Sequence, residues 1–151
     1  MVGPNGSVVS VDRNGAILET ARKRAAATEY TNVSFHEGDI RDVGLDGEFD
    51  AVAGRLVLMY LQDPAVAIQA TMKSLRSGGI TAFLEPDLSK GSVSTPHIPL
   101  VEKIGYWVTE TFIRAGVDTQ MGLKLRTTYL AAGLDEPQLQ IDAVMGGGPL
   151  M

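Results

Sequence analysis

Phe49-Asp50-Ala51-Val52-Ala53-Gly54-Arg55 opens the stretch that decides the fold, and Ile80-Thr81-Ala82-Phe83-Leu84-Glu85 closes it. Each is a short apolar run that ends on a charge, the pattern of a buried strand reaching a polar loop. Between them, Asp63-Pro64 supplies an N-cap followed by proline at the first helical position, a strong helix start. Ile68, Met72 and Leu75 then fall on one helical face. Leu75-Arg76-Ser77-Gly78-Gly79 is expected to close the helix, with Gly78 as its C-terminal stop. Strand, helix and strand at this spacing predict a parallel pair joined by a crossover.

The same alternation extends upstream. Gly3-Pro4-Asn5-Gly6 is turn chemistry, and Ser7–Val11 is a β-branched strand ending at Asp12. Asn14–Glu29 reads as a helix capped by Asn14, with Ile17, Ala21 and Ala25 on its core face. Val33–Glu37 is the next strand, followed by Gly38-Asp39, and Val43–Glu48 is a loop or a short helix. Downstream the pattern changes. Ser89–Pro99 is rich in Gly, Ser, Thr and Pro and reads as a loop. Leu100–Ala115 is an amphipathic helix with Val101, Ile104, Val108 and Phe112 on one stripe. Leu123–Ala132 is a helix stopped by Gly133, and Gln138–Val144 alternates as an edge strand before a turn at Gly146-Gly147-Gly148. Strands are thus expected near 7–12, 33–38, 49–54, 79–85 and 138–144, and helices near 14–29, 64–77, 100–115 and 123–132.

Composition bounds the function classes. The 151 residues are 44% hydrophobic and 21% charged, which fits one ordinary globular domain. Thirteen basic and eighteen acidic residues give a net charge of −5. With no basic cluster, a nucleic-acid partner is not expected. There is no cysteine, so disulfides and thiolate metal sites are excluded. No apolar run reaches the roughly 20 residues of a membrane span, and Met1-Val2-Gly3-Pro4-Asn5-Gly6 is too polar for a signal peptide. A cytoplasmic location with no membrane partner is the expectation. His36 and His97 are the only histidines and have no ligand-like cluster around them, so no metal site is expected.

Several charged residues fall at strand ends. Asp12 stands between a strand and a helix, where a carboxylate accepts hydrogen bonds from the hydroxyls of a ribose or simply rests on the helix dipole. Asp39 follows Gly38, which lets backbone approach closely; the plain alternative is a turn aspartate bonding its own backbone. Glu85 and Asp87 flank Pro86 at i and i+2, the spacing that turns two side chains to one side of a strand. The two carboxylates are therefore expected to face one pocket and meet a substrate amine or hydroxyl, or else to be solvated strand-end charges. Met59 and Tyr60 either line that pocket or fill a core gap. His97 lies before the Leu100–Ala115 helix as a candidate substrate-side base, and Tyr106 and Trp107 are pocket or packing residues.

The order, spacing and types of these residues, with the loop Gly54-Arg55-Leu56-Val57-Leu58-Met59-Tyr60-Leu61-Gln62-Asp63-Pro64, resemble the class I S-adenosylmethionine-dependent methyltransferases of the small-molecule type. The resemblance implies an α/β, Rossmann-like fold with a mostly parallel sheet and helices on both faces. It covers about Val2 to Val144 and lacks the family's first strand, its glycine-rich loop and the following helix, so a partial domain is expected. Residues 1–88 would be the cofactor-binding half, 89–122 an inserted lid and 123–151 a C-terminal helix and strand. S-adenosylmethionine is the implied cofactor, its ribose on Asp12 with Arg13 beside it, its adenine on Asp39 and Ile40, and Arg55 at the mouth. Tyr60, Glu85, Asp87, His97 and Trp107 are the implied substrate-side residues. The catalytic residue is not identifiable. The Asn/Asp-Pro-Pro-aromatic signature of base methylation is absent, so the acceptor is expected to be a small molecule. Without the glycine-rich loop, cofactor binding by this chain alone is expected to be weak and methyl transfer impaired. A homodimer is expected to cover the surfaces that the absent strand leaves open. Two other readings stand beside this one. The first is a non-catalytic relic acting as a binding or oligomerisation module. The second is a nicotinamide-dependent dehydrogenase, although no tyrosine here is followed by lysine four residues later.

Overall fold

The computed structural model describes residues 2–28, 30–42, 44–45, 49–91 and 93–143. Strand β1 (Val8–Asp12) leads into helix α1 (Gly15–Ala26) and strand β2 (Val33–Glu37). Strand β3 (Phe49–Arg55) follows, then a single 3-10 turn (Leu58–Tyr60), helix α2 (Pro64–Lys73) and strand β4 (Leu75–Leu84). Helices α3 (Pro99–Arg114) and α4 (Met121–Ala131) complete the order. β1 pairs with β2 and β3 with β4, both in parallel, as the strand–helix–strand alternation requires.

The pairs form two separate two-stranded sheets rather than one. Among the described residues β1 and β3 do not pair with each other, and each keeps one free edge. A two-stranded ribbon is marginal by itself, so packing must hold each pair. The core is a buried cluster of Leu58, Met59, Ala67, Ile68, Met121, Tyr129 and Ala132, contributed by the 3-10 turn, α2 and α4. Phe83 packs against it from β4 and Ile40 from the loop after β2. Ile40 thus carries an apolar contact from the first strand pair to the core built on the second. The ring of Tyr129 meets Phe83 edge-on at 6.4 Å, a favoured aromatic geometry.

Helix boundaries follow their caps. Asn14 accepts hydrogen bonds from the amides of Ala16 and Ile17 at the start of α1. Asp63 does the same for Val66 at the start of α2. α4 ends as expected at Gly133, whose φ is +81°. The Gly133 amide bonds the Leu130 carbonyl and the Leu134 amide the Tyr129 carbonyl, the paired closure of a Schellman motif.

Four expectations need correction. Gly78 does not stop α2. The helix ends at Lys73 with Ser74 as its cap, and Leu75 already pairs with Phe49. The ladder then skips to Ala51 opposite Ile80, so Arg76–Gly79 bulges out of β4 with Gly78 at φ +79°; a bulge needs a residue that tolerates that conformation. On α1 the buried side chain is Leu18, while Ile17 is 55% exposed, because none of the described elements covers the Ile17 side chain, and Ala21 and Ala25 are only partly buried. On α3 the inward line is Val101, Gly105, Thr109 and Phe112, and Ile104 and Val108 turn to solvent. Residues 138–143 form no strand, since none of the described strands pairs with them, and Ile141 is 89% exposed. Glu29, Val43, 46–48, Ser92, Val144 and the glycines at 146–148 lie outside the described residues. No helix among those described is long and apolar enough to cross a membrane.

Asn14→Ala should lower stability by about 1 kcal/mol in urea denaturation, whereas Asn14→Asp, an equally good cap, should leave the midpoint nearly unchanged.

Candidate cofactor and substrate site

The carboxyl ends of the four strands carry the charged residues that the sequence singles out. They fall into two groups, one on each strand pair. On the first, Asp12 is the last residue of β1 and its carboxylate accepts the Asn14 amide at 2.8 Å. This bond aims the carboxylate at the entrance to α1. Glu37 ends β2 directly opposite Asp12 in register. Its carboxylate lies so close to Gly15 that a Cβ there would sit 2.5 Å from an oxygen. The sequence reading missed Glu37, although a carboxylate at the end of a parallel strand was the same signal used for Asp12.

Asp39 is held more tightly. The Arg41 guanidinium donates to both its oxygens, from Nε at 2.8 Å and Nη2 at 2.7 Å, and the Arg41 amide adds a bond at 2.9 Å. Arg13 Nη1 stands 3.8 Å away. The Arg41 side-chain bonds, reinforced by its amide and by both cations, hold the Asp39 carboxyl well below the usual carboxylate range. Ile40, next in sequence, is partly buried against the core. Its side chain is therefore a packing residue.

On the second pair the arrangement turns on Glu85. This residue is only 8% exposed. Its carboxylate accepts the amides of Val57 at 2.9 Å, Leu58 at 2.8 Å and Met59 at 3.3 Å. These are the amides at the start of the 3-10 turn, which has no side-chain cap of its own, so Glu85 satisfies donors that a helix end leaves unpaired. The loop it grips begins at Arg55 and passes through Leu56, a non-glycine residue at φ 55°. Such a conformation costs on the order of 1 kcal/mol or more and persists only where the surroundings enforce it. Neighbouring bonds complete the clamp. The Asp118 amide bonds the Met59 carbonyl, Leu88 bonds Thr119, and Gly122 bonds Pro86. Gly122 has to be glycine for space, because a Cβ would lie 2.6 Å from the Glu85 carbonyl oxygen.

The expectation that Glu85 and Asp87 face one pocket is therefore corrected. β4 ends at Leu84, so strand alternation does not extend through Pro86. Glu85 turns inward to the loop amides, and Asp87 bonds the Ser89 amide at 3.0 Å. Met59 is buried in the core rather than lining a pocket. Arg55 and Tyr60 are exposed at the two ends of the clamped loop. His97 lies just before α3, with Nδ1 3.1 Å from Glu102, and Trp107 is exposed on α3 with the Lys103 ammonium 5.0 Å from its ring centre. α3 is tied down by Thr109, whose hydroxyl donates to the Leu88 carbonyl at 3.0 Å. Leu88 follows the carboxyl end of β4, so this tie lies on the side of the strand-end charges. Shallow depressions lie on the faces of α1, around Ile17, and of α3, around Trp107.

Known proteins resemble this chain in sequence and in fold. The sequence profile of a methyltransferase domain family matches residues 1–112. A 37.1 kDa protein of transposon TN4556 in Streptomyces fradiae is 31% identical over 137 residues, covering 90% of this chain and 38% of its own length. A methyltransferase of Schizosaccharomyces pombe is 30% identical over 97 residues, covering 60% of this chain and 35% of its own. The chain thus spans little more than a third of either relative. Among solved structures, a Bacillus halodurans protein classed as a methyltransferase matches 84% of this chain and 52% of its own at 19% identity, with a TM-score of 0.60. The trans-methyltransferase CalH, solved with S-adenosylhomocysteine, matches 87% of this chain and 38% of its own at 21% identity, with a TM-score of 0.55. At these identities the structural matches speak for the fold.

Two measurements check the site geometry. Glu85→Ala leaves three loop amides without their acceptor and should cost about 3–5 kcal/mol in denaturant unfolding, with Glu85→Gln in between. For Asp39, the folded-state carboxyl is depressed, so its contribution to stability is in full force above the ordinary carboxylate value of about 3.9 and is lost as pH falls toward the depressed one. Arg41→Ala should move the Asp39 titration midpoint, read by carbon-detected NMR, upward toward that ordinary value.

Proposed function

The chain belongs to the class I S-adenosylmethionine-dependent methyltransferases, and on that premise we propose that its strand ends form half of a nucleoside site serving methyl transfer to a small-molecule acceptor. The observation that carries the proposal is the grouping of Asp12, Arg13, Asp39 and Ile40 after two parallel paired strands. Loops at the carboxyl ends of parallel strands are where open α/β sheets take their ligands. In this reading Asp12 accepts from the ribose hydroxyls and Asp39 from the adenine amino group, with Ile40 against the ring. Arg55 closes the mouth at the head of the loop that Glu85 fixes. Tyr60, His97 and Trp107 are the remaining substrate-side candidates, with α3 as the lid above them.

When bound, S-adenosylmethionine supplies the methyl group on an electrophilic sulfonium. The chain's own residues contribute orientation, the main protein contribution in such a transfer. His97 is the candidate to accept a proton from the acceptor; its contact with Glu102 fixes the ring's direction. The net charge of −5 favours a small acceptor over a polyanion. The family match speaks against the dehydrogenase reading.

Binding by this chain alone should be weak for a reason visible at Asp39. A carboxylate offers about four acceptor sites, and Arg41 already takes three of them. An incoming amino group therefore finds a single acceptor site left, on a carboxylate whose charge the Arg41 guanidinium already engages. Calorimetric titration with S-adenosylhomocysteine tests the proposal: a dissociation constant in the millimolar range is expected, lost on Asp12→Ala. In a form of the domain that binds tightly, Asp12→Ala should weaken binding by about 1.5–3 kcal/mol, the worth of a charge-assisted hydrogen bond. An unchanged constant would make Asp12 a bystander.

A further inference from the structure

The acceptor sites of Asp39 are not spent evenly. Its Oδ1 takes two donors, the Arg41 amide at 2.9 Å and Arg41 Nε at 2.8 Å. Its Oδ2 takes one, Arg41 Nη2 at 2.7 Å. Each carboxylate oxygen offers about two acceptor sites, so the site left open is on Oδ2. A second cation stands beside that oxygen. Arg13 Nη1 is 3.8 Å from Oδ2, too far to hydrogen-bond it and near enough to meet a ligand bound there. The side chains of Arg13 and Arg41 are 59% and 45% exposed, so a ligand reaches both. The edge offered to a nucleobase thus carries one acceptor site and the N–H groups of two guanidiniums. A bare carboxylate accepts from the amino group of adenine and rejects a carbonyl in its place, because two acceptors then face each other. A guanidinium does the opposite and is the usual donor to the oxo group of a 6-oxo purine. Asp39 with its two arginines presents both.

We infer that Arg41 sets the base selectivity of the cofactor site and sets it low, so that a nucleoside with a 6-oxo purine is taken about as well as one with adenine. The inference rests on the placement of adenine at Asp39 proposed above. In the native chain a 6-amino group donates to Oδ2 of a carboxylate whose charge Arg41 already engages. A 6-oxo group accepts from a guanidinium instead, and Arg41 screens it from the carboxylate. Removing the Arg41 side chain frees two acceptor sites, since only its amide bond remains. The amino group of adenine then meets a stronger acceptor, and a 6-oxo group meets an unscreened one. Arg41 therefore acts on the base through Asp39.

NMR titration of the full chain, followed at the Asp39 and Ile40 amides, tests this with S-adenosylhomocysteine and S-inosylhomocysteine, which carry a 6-amino and a 6-oxo purine. The two dissociation constants should agree within about threefold in the native chain, because each base finds one partner of its own kind. Their ratio should rise to about tenfold or more in favour of adenine in Arg41→Ala, the scale on which a site that hydrogen-bonds its ligand rejects one that cannot pair. Arg41→Gln, which removes the charge and keeps a polar side chain, should move the ratio the same way. A merely structural role would leave the ratio alone, since a distorted loop weakens both ligands alike. A native ratio of about tenfold or more, or a ratio that both variants leave unchanged, overturns the inference; the cofactor reading survives that result if S-adenosylhomocysteine still binds and Asp12→Ala abolishes its binding. Shifts from neither ligand, or shifts that persist in Asp12→Ala, sink the cofactor reading and this inference with it.

Discussion

The carboxylate of Glu85 is the interaction on which the second half of the molecule depends. It gathers three consecutive amides at the start of the 3-10 turn, and so joins the end of β4 to the loop leaving β3. Without it the first residues of that turn have no acceptor, Leu56 has no reason to hold a left-handed conformation, and Leu58 and Met59 lose the placement that makes them the centre of the core. A buried carboxylate is tolerated here because every bond it makes is to a backbone donor fixed in space. Its role is to fix from behind the loop that begins with Arg55.

The two strand pairs contrast in how they are supported. The β3–β4 pair rests on α2, α4 and the buried cluster, with Tyr129 and Phe83 in edge-on contact. The β1–β2 pair has Leu18 of α1 as its fully buried side chain and reaches the core through Ile40. Its strand-end charges are correspondingly fixed by short local contacts, Asp12 by Asn14 and Asp39 by Arg41. The proposed nucleoside residues therefore stand on the lighter half and the clamped loop on the heavier one.

Much of this was legible in the residues. The strand–helix alternation, both helix caps at Asn14 and Asp63, and the Gly133 stop follow from local chemistry, and local chemistry is what sequence records. The errors share one cause, which is that they depended on what lies across space. Gly78 reads as a helix stop until β4 is seen to pair from Leu75 onward, which turns the same glycine into part of a bulge. The i, i+2 spacing of Glu85 and Asp87 predicts a shared pocket only if the strand continues, and it ends at Leu84. Ile17 belongs to a stripe of apolar spacing, yet a stripe is buried only when a neighbour covers it. Arg41 as the partner of Asp39 was open to discovery, since the two residues are close in sequence; Glu85 as the partner of amides 57–59 was not.

The position of Trp107 has a practical corollary. It is the one tryptophan in the chain, half in solvent on α3 and next to the Lys103 ammonium. Its fluorescence consequently reports on the outer face of α3 and hardly at all on the cluster of Leu58, Ile68 and Met121. Emission from this protein should begin red-shifted, move to shorter wavelength whenever something settles on that helix, and change early if α3 detaches while the core remains intact. A melting curve followed by tryptophan emission and one followed by far-ultraviolet circular dichroism would then be measurements of two different events.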